Sequence, residues 1–444
     1  MNFKLDQAEQ VYESELDLFS VKDVNTAVEL TYEKEYNPIT KPTYGAPIEF
    51  TVTNTSPDYM SLKEARLYFE VGIYNESNTL APDGSNVGLI NLPGATLFRQ
   101  CDISLQQQVL TGSVGSNYAY KGIFDSIFKY NWLEQNMGLL TAAGFVKDQG
   151  EMDATDCTQS DNSGLQKRYK YTKGKTAFFC TRIFADIAEQ DKLLLNHVPL
   201  NIKLYPSNDK FALMHAPLDT PTKFYYFKVE SAKLVIPFVK VQSSLLEEHG
   251  KELQRGMALY PFIRSDIKSF TVNSGTQEYS IDNVFQENIP DVMFVAMTGV
   301  ENYSGNTVKN PFNFEHFNLC HIDFSINGFS NESLTFKPSI KNAKVPNSKT
   351  SFLQSYASLF KKSNPEFTEI PNIDQRDYLK GYFIHKFNVS RCTNSQYATP
   401  LRKGQTRLNL RFSVPLGQAI TVIVYGIFNG ILKIDESRNI DVQT

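Results

Sequence analysis

Polar and apolar residues alternate through Arg407-Leu408-Asn409-Leu410-Arg411-Phe412. Val414-Pro415-Leu416-Gly417 interrupts the pattern, and Ile420-Thr421-Val422-Ile423-Val424-Tyr425-Gly426-Ile427-Phe428 follows, rich in β-branched and aromatic residues. Period-two alternation, a Pro/Gly break and a second β-rich run predict two neighbouring strands. Residues 198–205 alternate likewise, break at Pro206-Ser207-Asn208-Asp209, and resume over 210–214. Each half of the chain is therefore expected to finish with a closing strand pair. That predicts two all-β domains in tandem.

Further strands are predicted over 47–54, 65–74, 100–110, 176–187, 224–229, 232–241, 265–272, 292–298, 317–326, 333–336 and 382–389. A helix is predicted over 120–140, where Ile123, Phe124, Ile127, Phe128 and Trp132 recur at three and four residues. Two more are predicted over 243–254, with a Ser cap, and over 351–361. The polar stretch 149–164 reads as an exposed loop. A proline-containing link, Ala216-Pro217-Leu218-Asp219-Thr220-Pro221, divides a first unit, 44–216, from a second, 217–444. Residues 1–43 read as an arm: acidic at Asp6, Glu9, Glu13, Glu15 and Asp17, poor in apolar residues, and ended by Pro38 and Pro42. Many strands, few helices and long connections favour sandwich or barrel folds, among them the eight-stranded jelly roll.

Composition agrees. The 444 residues include 32 Phe and 23 Tyr, which favour pleated, half-buried surfaces. A net charge of −4 removes the basic footprint expected of a nucleic-acid binder. No apolar run approaches the roughly 20 residues that span a bilayer, so no transmembrane segment is expected. The opening residues lack the apolar stretch of a signal peptide. The five cysteines are scattered, as in a reducing compartment, and are expected to be free thiols.

Candidate chemistry is sparse. His316, Cys320 and His321 cluster in sequence, but three or four ligands must converge to hold zinc, so strand residues in a packed sheet are the expectation. Gly174-Lys175-Thr176 ends like a phosphate-binding loop but lacks the earlier glycine. The basic patch of Arg168, Lys170, Lys173 and Lys175 reads as a solvated loop rim. None of the six histidines falls in a recognisable Ser/His/Asp arrangement. No enzyme activity, catalytic residue, cofactor or metal is expected.

Several short segments occur in a telling order. They are Ser14-Glu15-Leu16-Asp17-Leu18-Phe19, Asn117-Tyr118-Ala119-Tyr120, Leu193-Leu194-Leu195-Asn196-His197-Val198-Pro199-Leu200 and Lys210-Phe211-Ala212-Leu213-Met214. Lys309-Asn310-Pro311-Phe312-Asn313-Phe314, Arg376-Asp377-Tyr378-Leu379-Lys380-Gly381-Tyr382 and Val422-Ile423-Val424-Tyr425 follow. This series resembles the major capsid protein of Polinton/Maverick-type elements and adintoviruses over nearly the whole chain.

The resemblance implies a double jelly-roll, hexon-like fold: two tandem eight-stranded jelly-roll β-sandwiches with short helices in the connections. It implies a homotrimer whose six jelly rolls form a pseudo-hexameric capsomer. Its partners would be neighbouring capsomers of an icosahedral shell and a minor penton capsid protein. Its place would be the virion capsid, after synthesis in the host cytoplasm or nucleus. The alternative is a carbohydrate- or receptor-binding β-sandwich protein. His197 stands where a turn-forming glycine is expected. Leu16, Leu18 and Phe19 are the candidate assembly contacts, in an arm expected to dock, after assembly, onto the base of its own or a neighbouring trimer.

Overall fold

The computed structural model describes residues 26–111, 117–218, 223–336, 352–361, 370–389 and 402–443. Eight strands build a first sandwich: β1 (Val28–Tyr36), β2 (Ile48–Val52), β3 (Arg66–Asn75), β4 (Phe98–Leu105), β5 (Gln108–Val109), β6 (Ala177–Arg182), β7 (Leu200–Pro206) and β8 (Tyr225–Val241). Their sheets run β1-β8-β3-β6 and β2-β7-β4-β5. Eight more build a second: β9 (Ala258–Val272), β10 (Glu278–Asp282), β11 (Val292–Gly299), β12 (Leu319–Ile326), β13 (Phe329–Thr335), β14 (Ile384–Asn388), β15 (Thr406–Phe412) and β16 (Ile420–Ile434). Their sheets run β9-β16-β11-β14 and β10-β15-β12-β13. Counted within each sandwich, both follow one order, first-eighth-third-sixth facing second-seventh-fourth-fifth. The fold is two tandem antiparallel jelly rolls.

The alternation in β15 buries Thr406, Leu408, Leu410 and Phe412. Strand β16 is buried almost throughout because β9 and β11 flank it and both its faces are covered. The β12–β13 hairpin turns at Asn327-Gly328, where both residues have positive φ, the geometry that Asn-Gly supplies.

Pairing differs from the sequence expectation in both closing pairs. Strands β15 and β16 are consecutive but lie in opposing sheets. Their counterparts in the first sandwich are β7 and β8. Residues 210–214 instead form a short helix, Asp209–Ala212, and a strand, Leu213–His215, that pairs with Val87–Leu89. Alternation reports which residues face inward; it does not report the partner strand.

The division between the units also moves. Strand β8 pairs with β1 and β3, so the first sandwich continues past 216/217. The chain changes sandwich along the helix α3 (Ser243–Arg255). The arm, too, is partly structural: β1 lies within it and forms the outer strand of the first sheet. An edge strand needs few apolar residues, and here Tyr32 stacks on Phe238 at 5.9 Å while Glu29 and Glu35 pair with Lys240 and Lys233.

The predicted helix over 120–140 is interrupted. Helix α1 (Tyr118–Phe128) ends, and a new short helix, Trp132–Asn136, begins at an Asn131 capping box. The Asn131 side chain accepts from the Glu134 amide at 3.0 Å, and the Glu134 carboxylate accepts from the Asn131 amide at 2.8 Å. Every residue of α1 is buried.

Candidate assembly surfaces

The seam between the sandwiches is built from α1, which belongs to the long connection between β5 and β6, and from the outer face of the β9-β16-β11-β14 sheet. Phe294 on β11 and Tyr425 on β16 are paired neighbours on that face. Phe128 stacks on Phe294 at 4.3 Å, and Phe124 meets Tyr425 at 5.2 Å. Charge is buried among these rings. Lys121 Nζ lies 2.8 Å from both Asp125 and Asp186 carboxylates. Asp125 also accepts from the Tyr425 hydroxyl at 2.7 Å and faces Lys129. Asp186 accepts from the Ser265 amide and hydroxyl of β9. Burial on its own would raise the Asp125 pKa, but Lys121, Lys129 and the two side-chain hydrogen bonds hold it down at about 2. The cluster's charges are paired, and through Tyr425 and Ser265 it bonds to two strands of the second sandwich.

The equivalent sheet of the first sandwich, β1-β8-β3-β6, has an outer face that no element of this kind covers among the described residues. Phe178 stands there 75% exposed on the edge strand β6. Tyr68, opposite Cys180 in the β3–β6 ladder, is exposed on the same face beside Lys233. A second apolar cluster lies elsewhere. Trp132, Leu133 and Met137 are exposed on and after the short helix Trp132–Asn136. Asn372 donates to Gln135 Oε1 at 3.0 Å, tying that helix to the segment carrying Ile370, which is 71% exposed. That segment belongs to the long connection between β13 and β14.

The sequence-predicted candidates fall as follows. Leu16, Leu18 and Phe19 lie outside the described residues. His316 precedes β12; its ring packs 4.8 Å from Phe352 and its Nδ1 accepts from the Asn318 amide. Burial lowers the His316 pKa. Cys320 contacts the Arg411 carbonyl and His321 contacts Thr335, so the three residues point to different partners. Cys101, Cys157, Cys180 and Cys320 are unpaired, and burial pushes the Cys157 thiol up to about 12. The basic patch is no loop rim. It lies on the helix α2 (Ser163–Thr172) and its C-terminal turn, and Arg168 is fully buried. Its guanidinium bonds to Asp148 at 2.7 Å and to the carbonyls of Leu89 and Val146. Lys173, by contrast, pairs at the surface with Asp83.

One Ser–His contact was not legible in the sequence. Ser355 Oγ lies 2.7 Å from His385 Nδ1 and 2.6 Å from the Tyr378 hydroxyl. Burial drives the His385 pKa down to about 3, and Ser355 is wholly buried. A base held so acidic, beside an inaccessible hydroxyl and a phenol, suits packing and not nucleophilic attack.

Known proteins share this fold. A chain of the Sputnik virophage structure matches with a TM-score of 0.63 at 11% identity, over 98% of this chain and 93% of that one. The mavirus major capsid protein matches at 0.50 and 10% identity, over 100% and 96%. The faustovirus major capsid protein matches at 0.52 and 9% identity, over 93% and 92%. The fold is that of viral major capsid proteins. In sequence, an uncharacterised Caenorhabditis elegans protein is 24% identical over 410 residues, 88% of this chain and 92% of that protein. No family model matches. Among the described residues, no helix is long and apolar enough to cross a membrane.

Proposed function

We propose that this chain is a non-enzymatic major capsid subunit that forms trimeric, pseudo-hexameric capsomers of an icosahedral shell. The observation that carries the reading is the unequal treatment of two equivalent faces. The outer face of β9-β16-β11-β14 is sealed by α1, from the β5–β6 connection of the first sandwich. Among the described residues, the outer face of β1-β8-β3-β6 is open, with Phe178 and Tyr68 exposed. In a ring of six sandwiches, that open face meets the second sandwich of the next copy, through its β13–β14 connection and Ile370. Such a contact is heterologous, joins two different patches, and closes after three copies. Aromatic residues are enriched at specific interfaces relative to the rest of a protein surface.

The shared fold with the mavirus and faustovirus major capsid proteins supports this role. The ordered segments described above resemble those of the Polinton/Maverick and adintovirus group, and that resemblance supports a subunit from a virus or an integrated element. The partners are then neighbouring capsomers and a minor penton protein, and the location is the virion capsid. Sedimentation of the purified protein tests the assembly. A stable trimer burying about 2,000 Å² or more per interface is expected; a monomer at micromolar concentration would refute it.

A further inference from the structure

Beside α3, the helix joining the two sandwiches, runs a groove of about 690 Å³. Leu245 and Leu253 of α3 form one wall, and Leu193, Val28, Met257 and Leu259 line the rest. No residue of α3 is fully buried. A side-chain bond ties the helix to the first sandwich, His249 Nδ1 to the Tyr59 hydroxyl at 2.8 Å. Met257 and Leu259 are each about half exposed. An amphipathic helix ordinarily buries its apolar stripe, yet Leu245, Leu246 and Leu253 are only partly covered. Exposed apolar surface of this kind marks a docking site.

The chain itself leads into the groove. Ala27 and Val28 line it, and the Ala27 carbonyl accepts from the Gln242 amide at 3.1 Å, beside the start of α3. Residues 1–25 precede this point. They carry Leu16, Leu18, Phe19, Val21 and Val24, with six carboxylates and two lysines, which together account for the whole net charge of −4. Of the charged residues in the groove, Arg255 pairs with Glu252 at 2.7 Å, which leaves Lys192, held against the Leu259 carbonyl at 2.8 Å, as its one cation without a carboxylate partner among the described residues. Reach is sufficient. The 13 residues of α3 span about 20 Å, and residues 16–24 can extend over about 25 Å or more.

We propose that Leu16, Leu18 and Phe19 fill this groove on their own chain, covering the apolar side of α3. The inference does not depend on the capsid reading. It assigns the arm a seat on its own subunit, one that exists before any shell forms.

The test is a full-length protein carrying a benzophenone side chain in place of Phe19, irradiated after purification. The expected cross-link joins position 19 to residues 245–259 within one chain, and the product migrates as a single chain after denaturation. A cross-link between two chains, one that maps elsewhere, or none at all overturns the proposal. Hydrogen exchange gives an independent readout. In the L16S/L18S/F19S variant, α3 amides should exchange about tenfold faster or more, while β16 amides stay protected. Unchanged α3 exchange also overturns the proposal. Both experiments read the same on monomers and trimers. Failure here therefore leaves the capsid reading intact, and a failure to trimerise leaves the groove proposal intact.

Discussion

Tyr425 donates its hydroxyl proton to Asp125, 2.7 Å away across the seam between the sandwiches and 300 residues distant in sequence. Removing the hydroxyl by Tyr425→Phe leaves a charged acceptor with one bond fewer. A loss of about 1.5–3 kcal/mol is expected in denaturant unfolding. Asp125→Asn removes one of two carboxylates from each of the buried Lys121 and Lys129, leaving Asp186 and Glu189 in place, and should cost about 3 kcal/mol.

The pH dependence of that second variant has a definite sign. The Asp125 pKa is held at about 2 in the folded protein, against an ordinary value of 3.8. A depressed carboxylate contributes its full stability above the unfolded pKa and loses it as pH falls through the folded one. The stability gap between the native protein and Asp125→Asn should therefore narrow between about pH 5 and pH 2. A gap that stays constant over that range would show that Asp125 is not the titrating group.

Arg168 and Lys175 are near neighbours in sequence with opposite expected sensitivities. Arg168→Ala leaves Asp148 buried without its partner and the Leu89 and Val146 carbonyls without donors. A loss of about 3–5 kcal/mol is expected. Lys175→Ala, at the exposed end of the same patch, should stay within about 0.5 kcal/mol. Thermal melts of the two variants measure the contrast.

His197 adopts φ 57°, the left-handed region that glycine occupies at least cost. The sequence expectation of a glycine-like turn there matches this conformation. The side chain is exposed, so little packing is lost on removing it. His197→Gly should stabilise the protein by about 0.5–1 kcal/mol, the left-handed penalty partly offset by the greater freedom of glycine when unfolded. A lower melting temperature would contradict this.

Much of the strand content was legible because a strand with one buried face shows its period directly, as in β15 and in β3, expected over 65–74 and found at Arg66–Asn75. Strand partners were not, because alternation is blind to which sheet receives the strand. β1 escaped notice because an edge strand carries charge where a central strand carries apolar residues. Arg168 looked like surface because its acceptors, Leu89, Val146 and Asp148, are distant in sequence or supplied by carbonyls. The seam was invisible for the same reason. Lys121 and Asp125 are one helical turn apart, but nothing in sequence brings Tyr425 or Asp186 to them.

Phe178→Asp places a charge on the open face of the first sandwich, at its edge strand β6. The side chain is exposed in the single chain, so the fold should survive with a change of about 0.5 kcal/mol or less. As a buried anchor of the proposed ring contact, the same change should weaken trimer association by about 2 kcal/mol or more. Concentration-dependent sedimentation separates these outcomes. A variant that trimerises like the native protein would remove this face from the interface.

The capsid assignment is tested most directly by electron microscopy of the purified full-length protein. The account predicts particles of hexagonal outline with three-fold symmetry, each built from six sandwiches, and closed shells where they associate. A uniform population of elongated two-lobed monomers, with no ring at any concentration, would contradict it.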